Sequence, residues 1–289
     1  MTRPVICLTG ASGFLGRYLA EELGQKYSVR AISNHPVNVP GVRESRVGNL
    51  KDDEFLRKAA RGSYAIVHAA AITNTLDPML EEINIKYTKK LVQAAKNCKI
   101  KKFVYISTEN ATHHCKDPYT KSKIKAEHIV LASYPEALIL RPALIFGKRD
   151  TRTLASFAKA IRSFPIVPVF SKRHCTLQPI YAEDVAKFVH QGLKLNKKGT
   201  YTLVGTEPKT FAEIGKIIAK HSGKKRVFLT IPMFLIRIAI SLLRFGPIEL
   251  KRLHYRLQNA FVLRQTNKRK IEQAFKYNIP PLEARLKDL

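Results

Sequence analysis

A glycine-rich segment near the start of the chain constrains the fold more than any other feature. Thr9–Gly16 reads TGASGFLG; it directly follows the apolar run Val5–Thr9 and opens an amphipathic stretch. A glycine turn between a strand and a helix is typical of a dinucleotide-binding βαβ unit. Gly10 permits the tight turn, Gly13 lets the backbone approach a pyrophosphate, and Gly16 lets the helix pack closely on the strand. The N–H groups at the start of that helix then form an anion site.

The order of the remaining segments predicts the architecture. Short β-branched runs alternate with amphipathic stretches, which is the pattern of a parallel sheet covered by helices. We therefore expect a Rossmann-type, doubly wound α/β fold. Residues 1–142 are predicted to form the NAD(P)-binding core and residues 143–289 a small interleaved C-terminal substrate lobe, from which residues ~177–204 return to the core.

Individual elements follow from the same patterns. The predicted strands are Val5–Thr9, Val29–Ser33, Ala65–His68, Phe103–Ser107, Ala137–Leu140 and Thr200–Val204. The predicted helices are Leu15–Gln25, Asp53–Ala60, Pro78–Asn97, Thr120–Ser133, Thr151–Phe164, Tyr181–Leu195, Thr210–His221 and the apolar Pro232–Arg244. Thr210 with Glu213 three residues later has the pattern of a capping box. The two prolines within Pro165–Val169 predict a loop.

The charge is strongly basic, with 51 Lys and Arg against 22 Asp and Glu and a net charge of +29. Such a charge favours anionic partners: phosphorylated substrates, the surface of an anionic membrane, or nucleic acid, which we regard as the weakest of the three. A general bias toward Lys with no specific partner is an equal alternative.

Cysteine spacing and the N-terminal residues limit the class of protein further. The four cysteines contain no CxxC pair, which argues against a disulfide scaffold and a zinc finger. His113-His114-Cys115 lacks a suitably spaced fourth ligand, and Cys175 beside His174 is read as a loop residue, so no metal site is predicted.

The N-terminus lacks the basic and apolar regions of a signal peptide. We expect a cytoplasmic protein, with peripheral contact at the inner face of a membrane as an alternative.

Further motifs follow the glycine turn in order. Tyr119–Lys123 has the form YxxxK, Arg141-Pro142 precedes Ile145-Phe146-Gly147, and Gln178–Ala186 reads QPIYAEDVA. With the GxxGxxG turn, these motifs resemble the extended group of the short-chain dehydrogenase/reductase superfamily, which is NAD-dependent epimerase/dehydratase-like. The resemblance covers residues 4–190.

The short spacing of 11 residues between Thr108 and Tyr119 refines the resemblance. It is similar to the atypical extended group related to the nucleotide-binding accessory subunit of respiratory complex I. Thr108-Glu109-Asn110 also resembles the Thr-Asp-Glu of nucleotide-sugar 4,6-dehydratases, but Asn110 cannot serve as the second acid. The segment therefore argues against dehydratase activity.

The resemblance implies roles for individual residues. Tyr119 would transfer the proton, Lys123 would bind the nicotinamide ribose and favour the tyrosinate, and Thr108, next to Ser107, would orient the substrate oxygen. The residues expected to contact the cofactor are Gly10, Ser12, Gly13, Phe14, Leu15, Gly16, Arg17, Asn34, Asn49, Leu50, Ala69, Ala70, Ala71, Asn84, Lys123 and Pro142. Arg173 and Gln178 are the expected substrate contacts.

The end of the second strand bears on the choice of cofactor. An acidic residue there would bind the adenosine ribose and select NAD, but the sequence has Ser33, Asn34 and His35. Arg17 follows the last glycine, and Arg30 lies nearby in the sequence, so a 2′-phosphate has cationic partners. NADP(H) is favoured, and NAD(H) stays open.

Three functions remain after these arguments. The first is an NAD(P)-dependent oxidoreductase or epimerase that acts on a nucleotide-sugar or a similar phosphorylated small molecule, and the resemblance implies a homodimer for it. The second is a non-catalytic NADPH-binding structural or assembly subunit at a membrane complex. The third is an RNA-binding member of the extended group.

Overall fold

Seven parallel strands form the central sheet, as seen in a computed structural model of the chain. The structure describes residues 2–113, 115, 117–170, 176–232, 235, 238, 241 and 266–289. Predictions that fall outside these residues are those for His114, Arg173, His174 and Cys175 and for most of the helix Pro232–Arg244.

Strands and helices alternate along most of the chain. The strands are β1 (Val5–Thr9), β2 (Ser28–Ser33), β3 (Val42–Val47), β4 (Ala65–His68), β5 (Lys102–Ile106), β6 (Leu138–Pro142), β7 (Ile145–Phe146), β8 (Ile166–Phe170), β9 (Thr176–Leu177), β10 (Ile180–Tyr181), β11 (Gly199–Leu203), β12 (Lys209–Thr210) and β13 (Val227–Ile231). The helices are α1 (Phe14–Gly24), α2 (Asp53–Ala60), α3 (Thr88–Asn97), α4 (Pro118–Ser133), α5 (Thr153–Ser163), α6 (Ala182–Lys194), α7 (Phe211–His221), α8 (Lys268–Phe275) and α9 (Leu282–Leu286). A π-helical stretch, Glu82–Tyr87, leads into α3, and a 3₁₀ turn, Glu109–Ala111, follows β5.

The order of the sheet places a switch point at its centre. The strands run β11-β6-β5-β4-β1-β2-β3, and every neighbouring pair is parallel. The strand order reverses between β4 and β1, where a doubly wound sheet opens a crevice at the carboxyl ends of its strands. The predicted α/β fold class is therefore confirmed.

Burial explains why these segments form strands. All four residues of β4 and the last four of β1 are buried, as expected for central strands covered by helices on both faces. The predicted strands and helices of the sheet lie within about two residues of the observed ones, except that the helix predicted over Pro78–Asn97 becomes regular α-helix only at Thr88.

Seven strands were not predicted from the sequence: β3, β8, β13 and the two-residue strands β7, β9, β10 and β12. The loop predicted over Pro165–Val169 is wrong, because β8 pairs in parallel with β13 along its full length. A proline is tolerated in a strand when its missing N–H faces an unpaired edge, and β8 has one partner among the described strands. Strand β3 was not predicted; its sequence VRESRV is charged because it lies at the edge of the sheet.

The chain divides into two compact units. The first contains Met1–Pro142, Ala182–Leu203 and Ile271–Tyr277, and the second contains Ala143–Tyr181, Val204–Lys270 and Asn278–Leu289. The central sheet belongs to the first unit. Three two-stranded pairs, β7–β10, β9–β12 and β8–β13, belong to the second.

The second unit also confirms the predicted helix start at Thr210. Its hydroxyl accepts a hydrogen bond from the N–H of Glu213, and the Glu213 carboxylate accepts one from the N–H of Thr210. This capping box fixes the beginning of α7.

Candidate functional site

The glycine turn after β1 has no room for side chains at two positions. Gly10 has φ +76°, and a Cβ on it would lie 2.7 Å from the N atom of Ala70. A Cβ on Gly16 would lie 1.8 Å from the Gly10 carbonyl oxygen. The turn is closed by a hydrogen bond of 3.0 Å from the Gly13 N–H to that same oxygen. Gly13 is the N-cap of α1 and provides no side-chain cap. The N-terminus of a helix favours an anion such as a pyrophosphate.

The alanines that follow β4 lie directly against this turn. The N–H of Ala69 donates to the Thr9 carbonyl over 3.3 Å, and the N–H of Ala70 donates to Thr9 Oγ1 over 3.2 Å. The glycine turn and the strand-end alanines, which the sequence separates by some 60 residues, thus form one wall at the switch point of the sheet.

A fully buried histidine that no sequence motif singles out joins these segments. His68 Nδ1 lies 2.7 Å from Thr9 Oγ1, and its Nε2 lies 2.8 Å from Thr88 Oγ1. Thr88 donates its hydroxyl hydrogen to the Asn84 carbonyl, and Thr9 Oγ1 accepts from Ala70. Because the Thr88 hydroxyl donates its hydrogen to Asn84, Thr88 Oγ1 can only accept from Nε2–H of His68. Nδ1 then carries no hydrogen and accepts from the Thr9 hydroxyl.

This network requires neutral His68. Burial, together with the positive charge of Lys123, lowers the pKa of His68 to about 3. The neutral ring then serves as a rigid link between the end of β1 and the start of α3. The only sequence signal for it was one polar residue inside the apolar run AIVHAAA.

Asn84 connects the loop after β4 to the helix that carries the YxxxK motif. Its amide exchanges two hydrogen bonds with the backbone of Ile72, at 2.8 and 2.9 Å, and donates to Ser122 Oγ at 2.9 Å. Ser122 in turn donates to the Tyr119 carbonyl over 2.7 Å. In this structure the Asn84 amide positions protein segments; its predicted contact with the cofactor stays a prediction.

Helix α4 begins in a way that presents Tyr119 and Lys123 one turn apart. Asp117 is its N-cap, and its buried carboxylate accepts hydrogen bonds from the N–H and the hydroxyl of Thr120. Pro118 occupies the first turn, where its lack of an N–H costs nothing. Tyr119, half-buried, therefore lies in the first turn, with Lys123 four residues later on the same face.

Lys123 is a buried cation in an aromatic surrounding. It is 2% exposed, and its Nζ lies 4.2 Å from the centre of the Tyr105 ring. Burial lowers the pKa of Lys123 to about 7, although the carboxylate of Glu127 opposes this shift. Glu127 is held in a bidentate ion pair with Arg141, at 2.6 and 2.9 Å. The charge of Lys123 is consequently sensitive to any nearby negative group.

Two hydroxyls follow β5 at the same edge of the sheet. Ser107 is 4% exposed, and its Oγ has no hydrogen-bond partner in the described part of the chain. Thr108 Oγ1 accepts a long hydrogen bond of 3.4 Å from the N–H of Asn110 and caps the 3₁₀ turn. A buried hydroxyl without a partner is costly, which is consistent with a site that a ligand completes.

The adenosine end of the predicted cofactor site is polar and exposed. Asn34 Oδ1 accepts from the N–H of Leu50 at 3.4 Å, and Asn49 Oδ1 accepts from the N–H of Lys51. Arg17 donates to the Ser12 carbonyl. Arg30, by contrast, is engaged by Glu44 and by the carbonyls of two further residues, so it is tied to the protein itself.

Two further predicted residues lie in different units. Pro142 is buried at the end of β6 in the first unit. Gln178, in the second unit, is 2% exposed, and its amide bonds to the Gly205 carbonyl and to both backbone groups of Thr266. Its side chain thereby holds two chain segments together, and a substrate contact for it stays a prediction.

Neither a metal cluster nor a membrane span occurs among the described residues. They contain no group of three or more His, Cys, Asp or Glu side chains arranged to hold a metal ion. Within the same residues, every helix is too short or too polar to cross a bilayer.

Comparison with known proteins gives a consistent family. The NAD dependent epimerase/dehydratase family matches residues 6–204. NADH dehydrogenase [ubiquinone] 1 alpha subcomplex subunit 9 of Mus musculus is 28% identical over 260 residues, which are 85% of this chain and 68% of that protein. Ceramide reductase of Caulobacter vibrioides is 33% identical over 191 residues, 64% of this chain and 59% of that enzyme. The match thus leaves about a third or more of each relative's length uncovered.

Solved structures share the fold. UDP-N-acetylglucosamine 4-epimerase from Bacillus cereus superposes with a TM-score of 0.75 at 20% identity, covering 98% of this chain and 97% of that one. The Bordetella bronchiseptica enzyme WbmG in complex with NAD gives a TM-score of 0.78 at 16% identity, covering 99% and 93%. At these identities the likeness concerns the fold.

Proposed function

The chain belongs to the NAD dependent epimerase/dehydratase family, and we propose that it is an NAD(P)-dependent oxidoreductase or epimerase acting on a nucleotide-sugar or a similar phosphorylated small molecule. The observation that carries the proposal is the wall formed by the glycine turn and the alanines after β4. A side chain at Gly10 or Gly16 would collide with backbone atoms, so the turn can close only with glycine at both positions. A glycine turn of this kind lets the backbone approach the pyrophosphate of a dinucleotide.

Proton transfer in this proposal is the task of Tyr119. A bound nicotinamide dinucleotide would supply or accept the hydride at the substrate carbon. Tyr119 Oη gives its proton to the carbonyl oxygen when the substrate is reduced and takes it back when the alcohol is oxidised. Thr108, with Ser107 beside it, orients that oxygen. The unpartnered Ser107 hydroxyl supports a hydroxyl-lined subsite.

Lys123 makes this proton transfer feasible near neutral pH. A tyrosine with its ordinary pKa of ~10 is a poor base at pH 7. An ammonium on the same helix face stabilises the tyrosinate, and the tyrosinate in turn favours the protonated Lys123. Because burial holds the pKa of Lys123 at about 7, a negative partner is what makes it fully cationic.

We also propose NADP(H) as the preferred cofactor, with NAD(H) as the alternative. The end of β2 carries Asn34 in place of a carboxylate, and Arg17 lies beside the turn. Arg30 gives less support than its sequence position suggested, since Glu44 neutralises it. Residues 1–142 would bind the dinucleotide, and residues 143–289 would select the substrate.

The decisive experiment compares Tyr119, in the first turn of α4, with Tyr134, the residue directly after its last turn. Tyr119→Phe is expected to lower turnover by ~10²–10⁴-fold while the affinity for the dinucleotide stays within about twofold, because only a proton donor is removed. Turnover is measured with nucleotide-sugars and with ceramide, and cofactor affinity by calorimetric titration with NADPH and NADH.

Tyr134→Phe is the matched control. Tyr134 lies at the other end of α4, and its hydroxyl is buried without a hydrogen-bond partner among the described residues. Removing that hydroxyl should leave turnover unchanged and slightly raise the free energy of unfolding. Full turnover in Tyr119→Phe would end the catalytic assignment of Tyr119.

A second candidate is a dinucleotide-binding subunit without turnover. The observation that favours it is the similarity to the mouse NADH dehydrogenase alpha subcomplex subunit across 85% of this chain. It predicts that both dinucleotide-binding measurements succeed and that neither the wild type nor Tyr134→Phe converts any substrate of the panel.

A further inference from the structure

The second unit carries an apolar surface that its own described residues leave uncovered. Four large side chains on or next to the β8–β13 pair are exposed: Phe164 (60%), Ile166 (55%), Val227 (63%) and Leu229 (58%). Together with Pro168, we call them the apolar face. Exposed apolar patches rimmed by polar groups mark interaction sites in soluble domains.

Strand geometry places these side chains on one side. Val227 pairs with Ile166, and Leu229 pairs with Pro168, so the exposed residues of the two strands are neighbours. Alternate residues of a strand point to opposite faces. On β8 the alternates Val167 and Val169 are each 2% exposed.

The opposite side of the pair packs on α7 at Phe228. The Phe228 ring occupies the space left by Gly215 of α7, where a Cβ would lie 2.5 Å from the ring. One side of the strand pair is therefore packed on α7, whereas the apolar face is turned outward.

All charged residues in the segments that carry the apolar face are basic. Residues 157–170 and 222–231 contain no Asp or Glu. They contain five cations: Lys159, Arg162, Lys224, Lys225 and Arg226. Lys224 and Arg226 donate to the carbonyl of Arg162 at the end of α5, which holds both cations beside the first residues of β13.

We propose that the apolar face docks on the surface of an anionic phospholipid bilayer, with Ile166, Val227 and Leu229 entering the interface and the cations directly before β13, Lys224 to Arg226, contacting lipid headgroups. Interfacial binding gains from buried apolar area and from attraction to anionic lipid, and this surface offers both. A nucleic acid would use the cations but would leave the aliphatic side chains in water. The combination of cations with exposed aliphatic side chains therefore favours anionic lipid over nucleic acid.

The test is flotation of the full chain with vesicles of two compositions. Binding is expected to vesicles of phosphatidylcholine mixed with phosphatidylglycerol and to be much weaker to phosphatidylcholine alone. The double variant Val227→Ser/Leu229→Ser should lower the partition coefficient by about tenfold or more, because it removes the inserted apolar area. Lys224→Glu/Lys225→Glu should lower it by a similar factor, because it reverses two cations directly before β13.

Matched controls lie in the first unit. Val47→Ser removes another exposed apolar side chain, from β3. Lys101→Glu/Lys197→Glu reverses two cations that line a lysine-rich cleft of about 240 Å³ beside β5. Both controls should bind the mixed vesicles within about twofold of the wild type, and circular dichroism checks that every variant is folded.

Three results would overturn the proposal. The first is equal vesicle binding by the wild type and Val227→Ser/Leu229→Ser. The second is an equal loss of vesicle binding in the charge-reversal variant of the second unit and in Lys101→Glu/Lys197→Glu. Such a result would mean that the net charge of the chain, and not the cations near the apolar face, causes the attraction. The third is a change of oligomeric state in Val227→Ser/Leu229→Ser, measured by analytical ultracentrifugation, with vesicle binding intact; the apolar face would then join copies of this chain.

Discussion

Lys123 is the residue at which burial and charge oppose each other most directly. The side chain is buried beneath the Tyr105 ring, and its pKa is lowered to about 7 from the ordinary value of 10.5. The unfolded chain therefore binds one more proton than the folded chain between these two pH values. In that window the free energy of unfolding rises with pH by up to ~1.4 kcal/mol per unit.

Lys123→Met tests this linkage. The variant has no titrating group at this position, so its free energy of unfolding should rise less steeply between pH 7 and pH 9, by about one proton. At pH 7 it should be more stable than the wild type, even though it loses turnover. Chemical denaturation across this pH range measures both effects, with Lys101→Met as the control; identical slopes for wild type and Lys123→Met would contradict the assignment.

The residues of the candidate site differ in how far the sequence identified them. Tyr119, Lys123 and Thr108 belong to spaced motifs, so their proximity could be proposed from the sequence alone. His68 could not be found in this way, because its partners Thr9 and Thr88 come from distant segments that only the fold brings together. One buried polar residue in an apolar run carries no information about which hydroxyls will satisfy it.

At the scale of elements, the turn between β1 and α1 depends on the absence of a side chain. Gly16→Ala would place a Cβ 1.8 Å from the Gly10 carbonyl, and neither backbone segment can move without opening the turn. We expect a loss of ~2 kcal/mol or more in the free energy of unfolding and loss of dinucleotide binding, both measured on the purified variant.

Gly62→Ala is the appropriate comparison for that variant. Gly62 has φ +75° with open space around it, so an alanine there causes only backbone strain. We expect the free energy of unfolding to fall by ~1–2 kcal/mol and dinucleotide binding to persist. If Gly16→Ala bound the dinucleotide as well as Gly62→Ala, the close approach at Gly10 would have no bearing on the ligand.

Elements were predictable where the local pattern and the tertiary position agreed. β1, β4 and α2 have the predicted bounds, because their apolar spacing matches the faces they bury. Pro165 and Pro168 favour a loop, whereas the pairing of β8 with β13 depends on a segment about 60 residues away. Within the helix predicted over Pro78–Asn97, the π-helical stretch coincides with Asn84, whose amide bonds to Ile72 outside the helix.

At the scale of the whole molecule, the net charge of +29 has a thermodynamic consequence. Like charges repel more strongly in the folded chain than in the expanded one, and salt screens that repulsion. The melting temperature is therefore expected to rise as sodium chloride is added from low to moderate concentration. Lys101→Glu/Lys197→Glu lowers the net charge from +29 to +25, two units for each change, and should show a smaller rise. A melting temperature that falls with salt would contradict this view.

The first unit is assembled from three separated stretches of chain, and this sets when it can be completed. β11 is the outer strand beside β6, and it is followed in this unit only by Ile271–Tyr277. Phe275 of that last stretch is fully buried, with its ring centre 5.3 Å from Phe188 and 4.9 Å from Tyr201. During synthesis on the ribosome this cluster of rings cannot close until Phe275 has left the exit tunnel. Until then Phe188 of α6 and Tyr201 of β11 lack the ring that covers them.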